Sequence, residues 1–182
     1  RAIVESNDRP AFLGEPQFAS DVWLNRGYTP CAHYASAIAD NIDQAESAEK
    51  RSCGLVRDGW NIKSLESHDS FQTALKCFHE ISAAAFTTAF SYTPLNYPEF
   101  KELYSPIESV LDPRMVLTAY TPLGRPAGFC FTIPDRLHPE RQEFIIKTLA
   151  VLPEFRQAGV GSWLVGVAHS VAHNLGWVSG GI

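Results

Sequence analysis

Between Asp69 and Phe86 the chain reads DSFQTALKCFHEISAAAF, with Phe71, Leu75, Phe78 and Ile81 recurring at intervals of three and four. That period gathers them on one side of a helix. NYPEFKELYSPIESVL reads as a second helix, ended or kinked at Pro106. GSWLVGVAHSVAHNLG puts Trp163, Leu164, Val167, Val171 and Leu175 on one side of a third, terminated by Gly176. Strand patterns lie between them. WNIKSLES carries Trp60, Ile62 and Leu65; RMVLTAY, the turn TPLGRP and AGFCFTIP read as a β-hairpin; EFIIKTLAVL reads as a strand buried along much of its length; WVSGGI begins another. From about Leu55 the order is strand, helix, helix, hairpin, strand, Gly-rich turn, helix, strand.

The first forty residues are a separate part. RAIVES is a strand candidate, followed by a loop with Pro10, Gly14 and Pro16. FASDVWLNR is a short helix candidate that Ser20 or Asp21 can cap and Gly27 can end. YTPCAHYASAIA alternates as a strand does, and the polar DNIDQAESAEKRSCG reads as a linker or an exposed helical crossing. No internal sequence repeat is evident. The chain starts at Arg1 and stops in what reads as the start of a strand, so both ends look cut.

Composition narrows the function classes. The apolar content is that of a globular protein, and the formal charge of −5 argues against the basic face that nucleic acid requires. No apolar run is long enough to span a bilayer, and no charged-then-apolar leader is visible. Cys31, Cys53, Cys77 and Cys130 are far apart and form no CxxC pair, so free thiols in a reducing cytosol are expected. His169 and His173 stand four apart on the third helix, but HSVAH lacks the Glu of HExxH and a third ligand, so no metal is expected. Cys130, in the hairpin, is read as a core thiol rather than a nucleophile. His33, His68, His79 and His138 form no partner pattern. Lys147 interrupts an apolar strand: it either lines a substrate cleft or runs its stem to a sheet edge.

The chemistry concentrates in VLPEFRQAGVGSWL, Val151 to Leu164. Pro153 stops a strand, and a helix begins at or just before Gly161. The first amides of that helix lack intrahelical acceptors, and its dipole adds roughly half a positive charge there. An anion is the natural occupant. Gly159 and Gly161 let it approach the backbone, and Arg156 adds a permanent charge with a fork suited to phosphate oxygens. A P-loop would need Lys after the second glycine, and a dinucleotide fingerprint would need a third glycine; neither is present.

Arg156-x-x-Gly159-x-Gly161, set between IIKTLAVLPEFR and an amphipathic helix ending NLGW, resembles the acetyl-coenzyme A pyrophosphate loop of the GNAT (GCN5-related) N-acetyltransferases. FSYTPLNYPEFKELYSPIESVLDPRMVLTAY followed by PAGFCFTIPD is similar to a two-lobed bacterial subgroup, and FLGEPQFASDVWLNRGYTPCAHYASAI to the end of that subgroup's first lobe. The resemblance covers nearly the whole chain. It implies an α/β fold: a mixed, mostly antiparallel sheet flanked by helices, with a V-shaped opening beside the domain's fourth strand. It implies that residues 1–50 are the tail of a first lobe plus linker, and that residues 55–182 are an acetyltransferase domain lacking its last helix and strands. The lobe-one tail is expected to pack against the second lobe and cover the edge left by those strands.

The resemblance also implies roles. Leu149, Ala150 and Val151 pair with the pantetheine arm of acetyl-CoA, the co-substrate. Arg156, Gln157, Ala158, Gly159, Val160, Gly161 and Ser162 hold the pyrophosphate, mostly through backbone amides. The Val151 amide polarises the thioester carbonyl. The reaction implied is direct attack by a primary amine of a small molecule or protein, in the cytoplasm, with no nucleic acid, membrane or metal involved. Many members place a carboxylate base on the fourth strand; that position is Ile145 here, Glu143 lies near the strand's outer end, and no catalytic residue is assigned. Two other readings stand: a non-catalytic acyl-CoA-binding or structural lobe of the same fold, and an unrelated phosphate-binding α/β domain.

Overall fold

The computed structural model describes residues 20–32, 37–39, 54–67, 71–109, 111–136 and 139–181. The expected strand at RAIVES, nearly all of the polar segment 40–54, and Cys53, His33, His68 and His138 lie outside them. Two compact units are present, Arg1–Ser36 and Ala37–Ile182. In the first, helix α1 (Ser20–Leu24) realises part of the expected FASDVWLNR helix. Gly27, at φ 84°, closes it, and Trp23 meets Tyr28 edge-on at 5.3 Å.

The second unit is built on one six-stranded sheet in the order β1-β6-β5-β4-β3-β2. Its strands are β1 (Ile38–Ala39), β2 (Asn61–Ser64), β3 (Val116–Tyr120), β4 (Pro126–Pro134), β5 (Glu143–Val151) and β6 (Ser179–Gly181). The helices are α2 (Phe71–Ala85), α3 (Tyr97–Tyr104) and α4 (Val160–Asn174). Every pairing is antiparallel except β5 with β6. β5 is the strand that the resemblance numbers fourth.

The helices form where the apolar spacing puts them. Phe71, Leu75, Phe78 and Ile81 of α2 are buried against β4, with Phe78 stacked on Phe129 at 4.5 Å and edge-on to Phe131 at 6.1 Å. α3 gives way after Tyr104 to the 3₁₀ turn Ser105–Ser109, whose second residue, Pro106, cannot donate to the α-helical ladder. Asn96 starts α3: its side chain accepts from the Glu99 amide at 3.0 Å, and the Glu99 carboxylate accepts from the Asn96 amide at 2.9 Å. The other sheet face carries α4, whose Val160, Leu164, Ala168 and Ala172 are fully buried with Leu117, Cys130, Phe144 and Ile146. α2 and α3 thus lie on one face and α4 on the other.

Two differences from the sequence reading concern the sheet's edges. The long strand expected over YTPCAHYASAIA is a strand only at Ile38–Ala39 among its described residues. Those two residues pair with Gly181 and Gly180, so the edge of β6 is covered. WNIKSLES gives up its strand at Ser64 for a 3₁₀ turn over Leu65–Ser67.

Candidate functional site

Among the described residues, β5 has a neighbour on both sides only at its start. β6 pairs with Glu143, Phe144 and Ile145 and with nothing beyond them, whereas β4 follows β5 to Val151. From Ile146 to Val151 that side of β5 carries no paired strand among the described residues. Gly180 fixes where β6 sits. A Cβ there would lie 2.3 Å from Cζ of Phe144, so only glycine lets that buried ring pack over the strand.

The Leu152 amide donates to the Ala127 carbonyl at 2.9 Å, on the β4 side. Amides alternate along an extended strand, so those of Val151 and Leu149 face the open edge and that of Ala150 faces β4. The Ala150 side chain is buried towards α2.

The open edge runs straight into the turn. Pro153–Ala158 form a 3₁₀ turn holding Arg156, Gln157 and Ala158; Gly159 follows at φ 83°, and α4 begins at Val160. Gly159 takes a left-handed conformation that other residues adopt at a cost. Gly161 has no such requirement. An added Cβ would stand 3.7 Å from Val151 and 3.9 Å from Leu149, which is ordinary contact. Glycine here lowers helix stability by roughly 0.5–1 kcal/mol relative to alanine, and no protein atom demands it. Val160 turns its side chain into the core, so in the first turn of α4 only backbone, Gly161 and the exposed Ser162 face outward.

Four contacts hold the turn. Arg125, in the β3–β4 hairpin turn, donates to Glu154 at 2.7 Å. Phe155 sits between Trp60, edge-on at 5.3 Å, and the Arg125 guanidinium, 5.6 Å over its ring. The Arg156 guanidinium donates to the carbonyl of Ala85, the last residue of α2. Its own backbone hydrogen bond, seconded by Arg125, holds the Glu154 carboxyl below the usual carboxylate range. The sequence reading gave Arg156 to phosphate alone; its partner 71 residues away was not foreseen, nor was the bracing by Arg125 and Trp60.

On the α2/α3 face, Lys147 points at α3. Its ammonium donates to the Tyr104 hydroxyl at 3.2 Å and lies 4.6 Å from that ring's centre. Tyr104 stacks on Phe100 at 4.4 Å and meets Phe131 edge-on. Ile145 is 7% exposed, so the position to which the resemblance assigns a carboxylate is an apolar core position.

Several other sequence candidates lie elsewhere. Cys130 is buried and its thiol is pushed up to about 12 by that burial, so it is no nucleophile. His79 bonds the Leu95 carbonyl at 2.8 Å between the rings of Tyr97 and Phe100. His169 packs edge-on against Phe144. A cavity of about 400 Å³ opens at the opposite end of β5, lined by Glu66, Asp112, Arg114, Phe144 and Trp177 among others. It includes none of the residues of the turn. Among the described residues no helix is long and apolar enough to cross a membrane.

No protein-family profile matches the chain, and no curated protein matches it. Solved structures do. A GCN5-related N-acetyltransferase from Sphaerobacter thermophilus superposes with a TM-score of 0.54 at 15% identity, over 68% of this chain and 35% of that one. A GNAT family acetyltransferase from Brucella melitensis, in complex with acetyl-CoA, gives 0.50 at 17% identity, over 66% and 72%. A GCN5-related glucosamine N-acetyltransferase region in a fungal multi-domain GH3 β-N-acetylglucosaminidase gives 0.58 at 12% identity, over 90% and 19%. The chain therefore spans about a third of the first of these proteins and about a fifth of the last.

Proposed function

We propose that this chain, which has the fold of the GNAT acetyltransferases, binds acetyl-CoA along β5 and the turn after it, and transfers the acetyl group to an amine. One observation carries the reading: β5 leads directly into a turn whose Gly159, at φ 83°, leaves open space at the start of α4, where only Ser162 offers an exposed side chain. An extended pantetheine arm requires free strand amides and carbonyls, and a pyrophosphate requires a helix start unobstructed by side chains. Leu149, Ala150 and Val151 would serve the first. Gln157, Ala158, Gly159, Val160, Gly161 and Ser162 would serve the second, with Arg156 bracing the turn and adding its charge.

In the reaction, the amine's lone pair attacks the thioester carbonyl carbon. The new C–N bond forms, the C–S bond breaks, coenzyme A leaves as the thiol and the amine gives up one proton. The Val151 amide faces the open edge and can donate to the developing oxyanion. Most of the rate enhancement then comes from positioning. A second reading, an acyl-CoA-binding lobe without turnover, is favoured by one observation: Ile145 stands where a base would be expected.

Calorimetric titration of acetyl-CoA, ATP and NAD, followed by an assay of coenzyme A thiol release with an amine panel, tests both. Acetyl-CoA binding with turnover supports the transferase. Binding without turnover supports the second reading. Equal or better binding of ATP or NAD defeats both.

A further inference from the structure

The cavity at the far end of β5 lies well away from the turn. Phe144 lines it, and Val151 leads into the turn; seven residues of extended strand, roughly 23 Å, separate the two. Its volume of about 400 Å³ is within the range of small-molecule sites. Its walls come from distant parts of the chain: the 3₁₀ turn after β2, the segment leading into β3, the end of β4, the start of β5 and the link from α4 to β6.

The floor is apolar. Met115 and Phe144 are buried there, and Ile133 and Trp177 are half-buried beside them. The rim is charged. Asp112 is spent on Arg114: one carboxylate oxygen accepts from the Arg114 amide and Nε, each at 3.0 Å, and the other accepts from Nη2 at 2.7 Å. Those bonds, the side-chain ones foremost, hold the Asp112 carboxyl below the usual carboxylate range, so both charges persist and cancel. Glu66 lines the same cavity and forms no ion pair among the described residues. Two carboxylates thus stand against one guanidinium, and the Glu66 charge is uncompensated. A second hollow, of about 320 Å³, shares Asp112, Arg114 and Trp177 and reaches Leu175 and Gly176 at the end of α4, where the helix dipole adds roughly half a negative charge. An apolar floor under a negative rim suits an apolar body with a cationic head.

We infer that this cavity is a second ligand site, and that it binds a small amphipathic amine, its body on Met115, Ile133, Phe144 and Trp177 and its ammonium at Glu66. The inference does not depend on acetyl transfer. An amine bound here is too far from the turn to be the acceptor. Phe144 also packs on Gly180, so a ligand on that ring adds contacts where β6 joins β5.

Met115 is the only methionine of the chain, so protein labelled with ¹³C at the methionine methyl reports on the cavity through a single NMR signal. The probes are 2-phenylethylamine, 2-phenylethanol and 3-phenylpropionate, which share a phenylethyl body and differ in the charge of the head. Each is titrated in the absence of acetyl-CoA. The amine should move the Met115 signal with an affinity about 2- to 5-fold above that of the alcohol, the range of an exposed ion pair, and the acid should bind more weakly than the alcohol. Glu66 is exposed, so Glu66→Gln should fold as wild type does, with an unchanged Met115 signal before ligand is added. In that variant the amine should fall to the affinity of the alcohol. A Met115 signal that none of the three probes moves, an acid that binds best, or an amine preference that survives in Glu66→Gln overturns the proposal.

Discussion

Replacing Gly161 by aspartate should move stability and cofactor affinity in opposite directions. A Cβ at this position meets Val151 and Leu149 only at ordinary contact distance, so the first added atom carries no steric cost. Aspartate is a slightly better helix residue than glycine, and a carboxylate in the first turn of a helix is favoured by the dipole; together these give about 0.5–1 kcal/mol of added stability. For a chain of this size that is a rise of about 1–4 °C in Tm. The same carboxylate would face the pyrophosphate. Like charges set against each other cost several kcal/mol, so acetyl-CoA affinity should fall by more than about 100-fold. Gly161→Ala is the control, stabilised by roughly 0.5–1 kcal/mol without the added charge. Differential scanning calorimetry reads the first quantity and titration calorimetry the second. A Gly161→Asp protein that binds acetyl-CoA within threefold of wild type would refute the placement of the pyrophosphate at this turn. One that unfolds at a lower temperature would refute the claim that the protein itself has no need of the glycine.

Further outcomes are expected. Gly180→Ala drives a methyl into the buried Phe144 ring and should cost about 1–3 kcal/mol, seen as a lower denaturation midpoint; an unchanged midpoint would mean that β6 can move aside freely. Phe78→Ala empties the centre of the α2 face and should cost about 3–5 kcal/mol in urea unfolding. Cys77 and Cys130, raised to about 11 and about 12 by burial, should resist iodoacetamide at pH 8 until denaturant is added, whereas exposed Cys31 reacts at once; prompt labelling of Cys130 would contradict its burial. Burial holds the His169 pKa below its unfolded value, so its contribution to stability is present above about pH 6.5 and is lost as the pH falls. Wild type should therefore lose more Tm than His169→Gln between pH 7.5 and 5.5, and parallel losses would sink the assignment.

What could be read from the sequence was whatever depends on near neighbours. The three- and four-residue spacing of Phe71, Leu75, Phe78 and Ile81 specifies a helix by itself, and Pro106 ends α3 by its own chemistry. The turn from Pro153 to Gly161 was legible for the same reason. Pairing between distant strands was not. That β6 packs beside the start of β5 depends on Gly180 beneath Phe144, and the bulge at Lys147 depends on register with β4. The Arg156 to Ala85 bond joins the turn to the end of another helix, and no local pattern announces it. The resemblance supplied the expectation of a mixed, mostly antiparallel sheet; the side chains that seat β6 against β5 became visible only in three dimensions.

The bracing of the turn by Arg125, Trp60 and Arg156 has a kinetic consequence. A loop that closes only around its ligand delays association and adds an ordering cost to every binding event. Here that ordering is completed when the chain folds, because each brace comes from a different element: the hairpin turn, the segment leading into β2 and the end of α2. Cofactor capture should then follow one bimolecular phase whose rate rises linearly with concentration. The protein would meet acetyl-CoA as a lock already cut, and any slow step in its cycle would belong to the acceptor.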